Sequence, residues 1–385
     1  MASLSVGHAA TDLAQGAVPA LLVFLVPKLD LSYTLAAAVV LVAAFSSSII
    51  QPFFGHWSDR RGAMWLLPGG VALAGVGIAL AAVAPSYPLL LLAVFVCGVG
   101  VAAFHPEGSK FASYVSGTRR ASGMAVFSVG GNIGFGLGPI LGSSLVVAFG
   151  LRGGLLLALP GLAVAGLLLA EGRYLGRFVP NGGRAGLSFP QRDRPRAFAV
   201  LQGVVGLRSI AHYGLFTFVP LWEVENGASK AAGTRLLSLF LLAGAVGTLI
   251  GGPVADRFGR RAVIVVTHTV AAPLIVAYVL AGGIAGDVAL VLAGAAIIST
   301  FGVTTVLSQE FLPSRIATAS GLSVGLAIGL GGIFAISLGA VADSINLRTA
   351  VLATAAGPAL GALVALALPP ATEGHLVEPA PAATT

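Results

Sequence analysis

The chain has little charge. Only 9% of its 385 residues are Asp, Glu, Lys or Arg, whereas a soluble domain carries roughly 25%, so an ordinary water-facing surface is excluded. Cysteine is nearly absent. Cys97 stands alone in an apolar run, which rules out a disulfide framework. No segment has metal-ligand spacing, and none sets a nucleophile beside a base and an orienting group. The expectation is therefore no enzyme activity, no metal and no cofactor. The formal net charge is +7, but the basic residues are scattered at segment ends rather than gathered on one face, which argues against a nucleic-acid partner. A cleavable signal peptide is not expected, because the first apolar run holds His8, Asp12 and Gln15 and leads directly into others.

Apolar length is plentiful. Hydrophobic residues make up 57% of the chain, mean hydropathy is +0.97, and 53 glycines suit closely packed transmembrane helices. Runs near or above the ~20 residues that a span requires fall at about 5–26, 34–54, 64–84, 87–110, 121–149 and 153–170. Six more follow at about 198–222, 234–252, 262–283, 287–311, 316–343 and 347–368. The expected fold class is an all-α polytopic membrane protein with 12 transmembrane helices, working as a monomer in a lipid bilayer. Its expected parts are a first half (1–170), a basic linker (171–196), a second half (197–368) and a Pro/Ala-rich disordered tail (369–385). The linker carries six arginines against Glu171 and Asp193, which reads as a cytoplasmic surface loop.

A charged stretch occurs twice. Residues 55–62 read Gly-His-Trp-Ser-Asp-Arg-Arg-Gly, and residues 252–261 read Gly-Pro-Val-Ala-Asp-Arg-Phe-Gly-Arg-Arg. Both have the spacing Gly-x-x-x-Asp-Arg-x-Gly, with Asp59 and Asp256 separated by 197 residues. A second match, Ser122-Gly123 with Ser320-Gly321, falls at an offset of 198. Two matches at nearly one offset imply a duplicated unit of half the chain. If the amino terminus is cytoplasmic, loops on that side hold 15 of the 21 Lys and Arg, the opposite loops hold five, and Arg208 lies inside a span. The positive-inside rule then places both termini in the cytoplasm.

Ionisable groups inside spans are costly, so each is a functional candidate. The first span has His8, Asp12 and Gln15 on one helical face. The fourth carries His105, Glu107 and Lys110, the seventh Arg208 and His212, and the tenth Gln309 and Glu310. Asp12 and Arg208 sit deepest and are expected to serve coupling or substrate binding. For Glu107, Lys110 and Glu310, near helix ends, snorkelling caps are an equal explanation. The fifth span carries Gly134, Gly138, Pro139 and Gly142. Glycines four apart share a face and permit close packing, while the proline removes a backbone hydrogen bond.

Two six-helix halves, each with the charged loop between its second and third helices, resemble the major facilitator superfamily over nearly the whole chain. The resemblance implies two six-helix pseudo-repeats whose first, fourth, seventh and tenth helices line a central path. It also implies a gating latch at Gly55, Asp59, Arg60, Gly252, Asp256, Arg257, Gly259, Arg260 and Arg261. An Asp beside an Arg at a helix end can tie neighbouring termini together; plain topogenic charge is the alternative. The fifth span is similar to the Gly-x-x-x-Gly-Pro-x-x-Gly-Gly signature of the family's proton-coupled exporters, with Ser143 in the last place, which favours antiport.

A narrower resemblance rests on Gly7-His8 with Asp12, Gln51-Pro52, Phe104-His105-Pro106-Glu107, Gly130-Gly131-Asn132 and Gln309-Glu310-Phe-Leu-Pro313. These residues resemble the fosmidomycin resistance branch. It implies a proton-coupled efflux antiporter of the bacterial cytoplasmic (inner) membrane, conferring antibiotic resistance by exporting small amphiphilic or anionic compounds such as a phosphonate. Arg208, Lys110 and protonated His105 or His212 would meet the anion. Asp12, Glu107 or Glu310 would carry the proton. A proton symporter importing an organic anion or sugar, and a lipid or lysolipid flippase, share the fold and stay open.

Overall fold

The computed structural model describes residues 1–61, 63–116, 120–178, 193–313 and 316–369, excepting the side chains of residues 59–61, 120–122, 316–318, 320, 321 and 324. Among the described residues, twelve helices are long and apolar enough to cross a membrane. They are α1 (Ala2–Leu29), α2 (Tyr33–Ser58), α3 (Leu66–Val83), α4 (Tyr87–Ser116), α5 (Gly123–Phe149) and α6 (Leu151–Phe178), then α7 (Pro195–Glu225), α8 (Lys230–Phe258), α9 (Arg260–Ala281), α10 (Gly283–Phe311), α11 (Gly325–Ser344) and α12 (Leu347–Ala365). All twelve expected spans are present, so the chain is an all-helical, multi-pass membrane protein. Several helices run past their apolar cores. α8 is the clearest case, because Ser229 caps its start by accepting from the Ala232 amide and polar residues continue it to Phe258. Helical structure also continues through residues 171–178, the start of the expected linker; residues 179–192 lie outside the description, as does the tail beyond residue 369.

Pairwise packing repeats between the halves. α1 packs on α5, α3 on α4 and α6, and α2 on α4; the same scheme recurs as α7 on α11, α9 on α10 and α12, and α8 on α10. The two seams joining the halves, α2 with α11 and α5 with α8, exchange when the halves are swapped. The duplication read from offsets of 197 and 198 is therefore present in three dimensions. With an even number of spans, the start of α1 and the end of α12 belong to one face of the bundle, called here the near face; the opposite one is the far face.

Close backbone approach sets the α1–α5 seam. A Cβ on Gly130, Gly134 or Gly138 would sit 2.3 Å from Ser5 O, 2.0 Å from Ala9 O and 2.5 Å from Leu13 O. The four-residue steps on α5 thus register against four-residue steps on α1. Without a side chain the backbones meet directly, which compensates in a membrane for the missing hydrophobic drive between helices.

Polar contacts between the halves gather at the far face. Asp343 of α11 accepts from the Tyr33 amide at 2.7 Å and from the Thr34 amide and hydroxyl at 2.9 and 2.6 Å, at the start of α2. Tyr33 Oη donates to Glu225 of α7 at 2.6 Å, and Lys230 lies over the Phe24 ring. Deeper in the bundle, Phe135 of α5 stacks on Phe216 of α7. These contacts bridge the two halves on the far side.

Candidate functional site

The first half assembles a compact polar cluster from α1 and α4. His8 and Asp12 are one turn apart on α1, and His105 reaches them from α4, 97 residues from His8 along the chain. His8 Nε2 is 3.2 Å from one Asp12 oxygen, His105 Nε2 is 3.2 Å from the other, and the two Nε2 atoms are 3.1 Å apart. The Nδ1 atoms face backbone carbonyls, His8 at Phe127 O and His105 at Val101 O, both at 2.8 Å. A carbonyl only accepts, so both rings carry their proton on Nδ1. The ring of Phe127 stacks on His8 and fixes its plane. The third face residue on α1, Gln15, turns away and donates to Ser47 of α2 at 3.0 Å.

Glu107 and Lys110 belong to a different place. Glu107 is fully buried, accepts from Ser58 at the end of α2 and pairs with Lys110 at 2.7 Å, while Lys110 also reaches Ser58. This network ties α4 to the end of α2 that carries the first charged loop. It compensates its own charges.

In the second half the polar site is built on α7 and α10. Arg208 is 2% exposed. Its Nη1 donates to Thr300 and Thr304 of α10 at 3.2 and 3.3 Å, and its guanidinium lies 3.7 Å over the Phe301 ring. Its Nε has no partner, and among the described residues no carboxylate pairs with it. One turn on, His212 packs among Phe216, Phe240 and Phe301 with Nδ1 unpartnered. Arg208 falls within two positions of Asp12 plus the repeat offset, so the two sites occupy related places in the two halves. A buried cation with only hydroxyl and aromatic neighbours is costly, and its open donor invites an anion.

The second charged loop stays within its own half. Arg260 pairs with Glu310 of α10 and lies 3.8 Å from Asp256, and Arg261 donates to Leu366 O beyond α12. Gly259 has φ +90° between α8 and α9, a turn that a side chain would strain, which accounts for the final glycine of that stretch. Arg257 lies exposed beside Phe258. The side chains of Asp59 and Arg60 lie outside the description, and a Cβ on Gly55 would touch Pro106 of α4. Gln309 is half-buried on α10 beside Glu310. On α5, Gly134 and Gly138 form the seam against α1, with Pro139 in the helix and Gly142 opposite Ala17.

Comparison with known proteins decides the family. The Major Facilitator Superfamily model matches residues 4–336. The chain belongs to that superfamily. It is similar to the fosmidomycin resistance protein of Escherichia coli (strain K12), 30% identical over 94% of this chain and 91% of that one. It is also similar to the MFS-type transporter YfnC of Bacillus subtilis (strain 168), 34% identical over the same shares. Among solved structures, a bacterial homologue of the human lysosomal transporter Spinster, inward-facing and occupied, superposes with a TM-score of 0.77 at 17% identity, over 94% of this chain and 95% of that one. The nucleoside transporter NupG superposes at 0.74 and 14% identity, over 95% and 98%. These structures share the transporter fold with this superfamily member.

Thr300, Phe301 and Thr304, which hold Arg208, were not legible as site residues, since threonines and phenylalanines in an apolar run read as packing. Gly131 escaped notice for its chemistry too. A Cβ there would lie 2.4 Å from His8 Nε2 and 2.7 Å from Asp12 Oδ2, so glycine is what lets α5 pass the cluster. Spacing along the chain shows no metal-ligand pattern, whereas folding brings His8, Asp12 and His105 from two helices together with donor atoms within 4.8 Å of one another.

Proposed function

We propose that this transporter is a proton-coupled exporter of small anionic compounds, phosphonates among them, working by alternating access. The observation that carries the reading is the division of charge between the halves. A carboxylate held by two imidazoles on α1 and α4 stands against an uncompensated, buried guanidinium on α7. Arg208 receives the anion, with Thr300 and Thr304 as further donors and Phe301, Phe240 and Phe216 as apolar walls. The Asp12 cluster carries the proton. With both Nδ1 atoms donating to backbone, Nε2 of each ring and the carboxylate present only lone pairs to one another, so the cluster needs at least one proton to hold its geometry.

The near face is assigned to the cytoplasm from the Lys and Arg excess in its loops. Closure at the far face through Asp343, Tyr33 and Glu225 then corresponds to the state that loads substrate from the cytoplasm. Similarity to the E. coli fosmidomycin resistance protein supports a phosphonate as the first cargo to try. Rocking of the halves about the midplane would release the anion outward as a proton enters the emptied cluster.

The test is flux in proteoliposomes with an imposed pH gradient and a labelled phosphonate. Wild type is expected to move substrate against its gradient. Asp12→Asn is expected to lose pH-driven accumulation while keeping exchange of substrate for substrate. Full pH-driven activity in Asp12→Asn would remove the cluster from coupling, and absence of phosphonate flux in wild type would remove the cargo.

A further inference from the structure

The three donors of the first-half cluster converge on one point. The two Nε2 atoms are 3.1 Å apart, and each lies 3.2 Å from a different Asp12 oxygen, Oδ2 for His8 and Oδ1 for His105. Around a tetrahedral zinc-type ion with bonds of about 2.0–2.1 Å, neighbouring ligand atoms stand about 3.3 Å apart; the His8–His105 separation already matches one edge of a tetrahedral face, and an Asp12 oxygen completes a triangle of donors that all lie within 4.8 Å of one another. The orientation of the rings agrees. A ligating imidazole offers one nitrogen to the metal and donates from the other to a carbonyl or carboxylate that fixes its tautomer, and His8 and His105 both do this, with Phe127 O and Val101 O as the outer partners.

Room is provided by Gly131, whose missing side chain leaves the flank of the triangle open beside His8 Nε2 and Asp12 Oδ2. Access is present as well: the side chains of His105 and Asp12 are 23% and 16% exposed. Two imidazoles and one carboxylate suit a borderline transition metal rather than magnesium or calcium, which prefer all-oxygen shells.

We propose that His8 Nε2, an Asp12 oxygen and His105 Nε2 form a binding site for a divalent transition-metal ion of the zinc type, with a fourth position open to water or a substrate oxyanion. The regulatory consequence rests on the proton-site reading given above. A bound ion occupies the place of the exchanged proton and holds the transporter idle, so metal and proton compete for one cluster.

The experiment uses the full chain in detergent, stripped with a chelator and titrated with Zn2+ or Co2+ near neutral pH. One Zn2+ per chain is expected after equilibrium dialysis, and Co2+ is expected to give the intense visible bands of a four-coordinate ion. His8→Gln and His105→Gln should each weaken Zn2+ binding by at least about tenfold. His56→Gln, at an exposed histidine outside the cluster, should leave it unchanged. Gly131→Ala keeps every donor but fills the flank, and should also lower affinity, so the test does not depend on ligand variants folding. No saturable Zn2+ binding in wild type, or wild-type affinity in both histidine variants, overturns the site. Flux separates the two readings. If chelated wild type transports with the pH gradient but binds no Zn2+, the metal site falls and coupling stands; if Zn2+ binds without any pH-driven flux, the metal site stands and the coupling reading falls.

Discussion

The two halves share one packing scheme but treat their buried polar groups in opposite ways. On α1 and α4, His8 and His105 donate from Nδ1 to two backbone carbonyls and turn Nε2 lone pairs, with the Asp12 carboxylate, towards a shared proton. On α7 and α10, Arg208 has two hydroxyls, one aromatic face and an idle Nε, and His212 has an idle Nδ1. A duplicated scaffold thus gives one site rich in lone pairs and one site with an unspent donor. On the proposed function, the difference assigns each site its cargo. Small cations enter networks that already hold lone pairs, while an anion is drawn to unspent donors that no carboxylate neutralises.

The sharpest way to break this comparison is to remove each charge and measure binding and stability together. Arg208→Met is expected to reduce phosphonate affinity by about 100-fold or more, since a buried charge-assisted contact is lost. It should also raise thermal stability by about 1–4 kcal/mol, because an uncompensated buried cation becomes a well-packed apolar side chain. Thr300 and Thr304 would not be orphaned, as their hydroxyls also donate to backbone carbonyls one turn back. Asp12→Asn should do the reverse to stability and cost about 1–3 kcal/mol, because it breaks a satisfied network. Thermal denaturation of detergent-purified protein reads both signs. If both variants lose stability alike, the two sites are not different in kind.

A glycine inside a seam and a glycine facing open space differ as well. On α5 a Cβ at Gly134 would lie 2.0 Å from Ala9 O, whereas on α11 a Cβ at Gly329 meets nothing within 4 Å. Gly134→Ala is therefore expected to destabilise by about 1–3 kcal/mol through overpacking, and Gly329→Ala to stay within about 0.5 kcal/mol of wild type. Equal melting points for the two variants would mean that the α1–α5 seam yields more easily than its backbone contacts imply.

Much of this was readable from residues alone, and the remainder was not for identifiable reasons. Twelve spans follow from apolar runs because a bilayer sets their length. His8, Asp12, His105, Arg208 and His212 stood out as ionisable groups inside those runs. Their pairing did not, since contact between α1 and α4 joins residues 97 apart and has no local signal. Glu107 and Lys110 were read with the central path, but they turn to Ser58, because a helix end places them beside α2 rather than the midplane. Glu310 likewise pairs with Arg260, inside the charged loop of its own half. Asp343 carried no signal at all. Near the end of an apolar run it reads as an ordinary topogenic charge, and its partners are backbone amides 309 and 310 residues away.

Asp343 supplies the smallest and most specific contrast. The two seams that join the halves are related by the repeat, yet among the described residues only the α2–α11 seam is pinned by a charge. Asp343 accepts three hydrogen bonds at the start of α2, where its negative charge also meets the positive end of the helix dipole. On α5 the related positions, 197 or 198 residues earlier, are Val146 and Leu145. Asp343→Ala is expected to release far-face closure and move the population of far-open molecules by about tenfold, a shift of about 1.4 kcal/mol. Spin labels at Leu35→Cys and Ile345→Cys, both exposed near this contact, would report it as a longer distance by pulsed electron resonance, with Cys97 too buried to label. Val146→Ala should leave the distances unchanged. Identical distance distributions in wild type and Asp343→Ala would assign closure to apolar packing between the seams, and the two seams would then be energetically as alike as their packing.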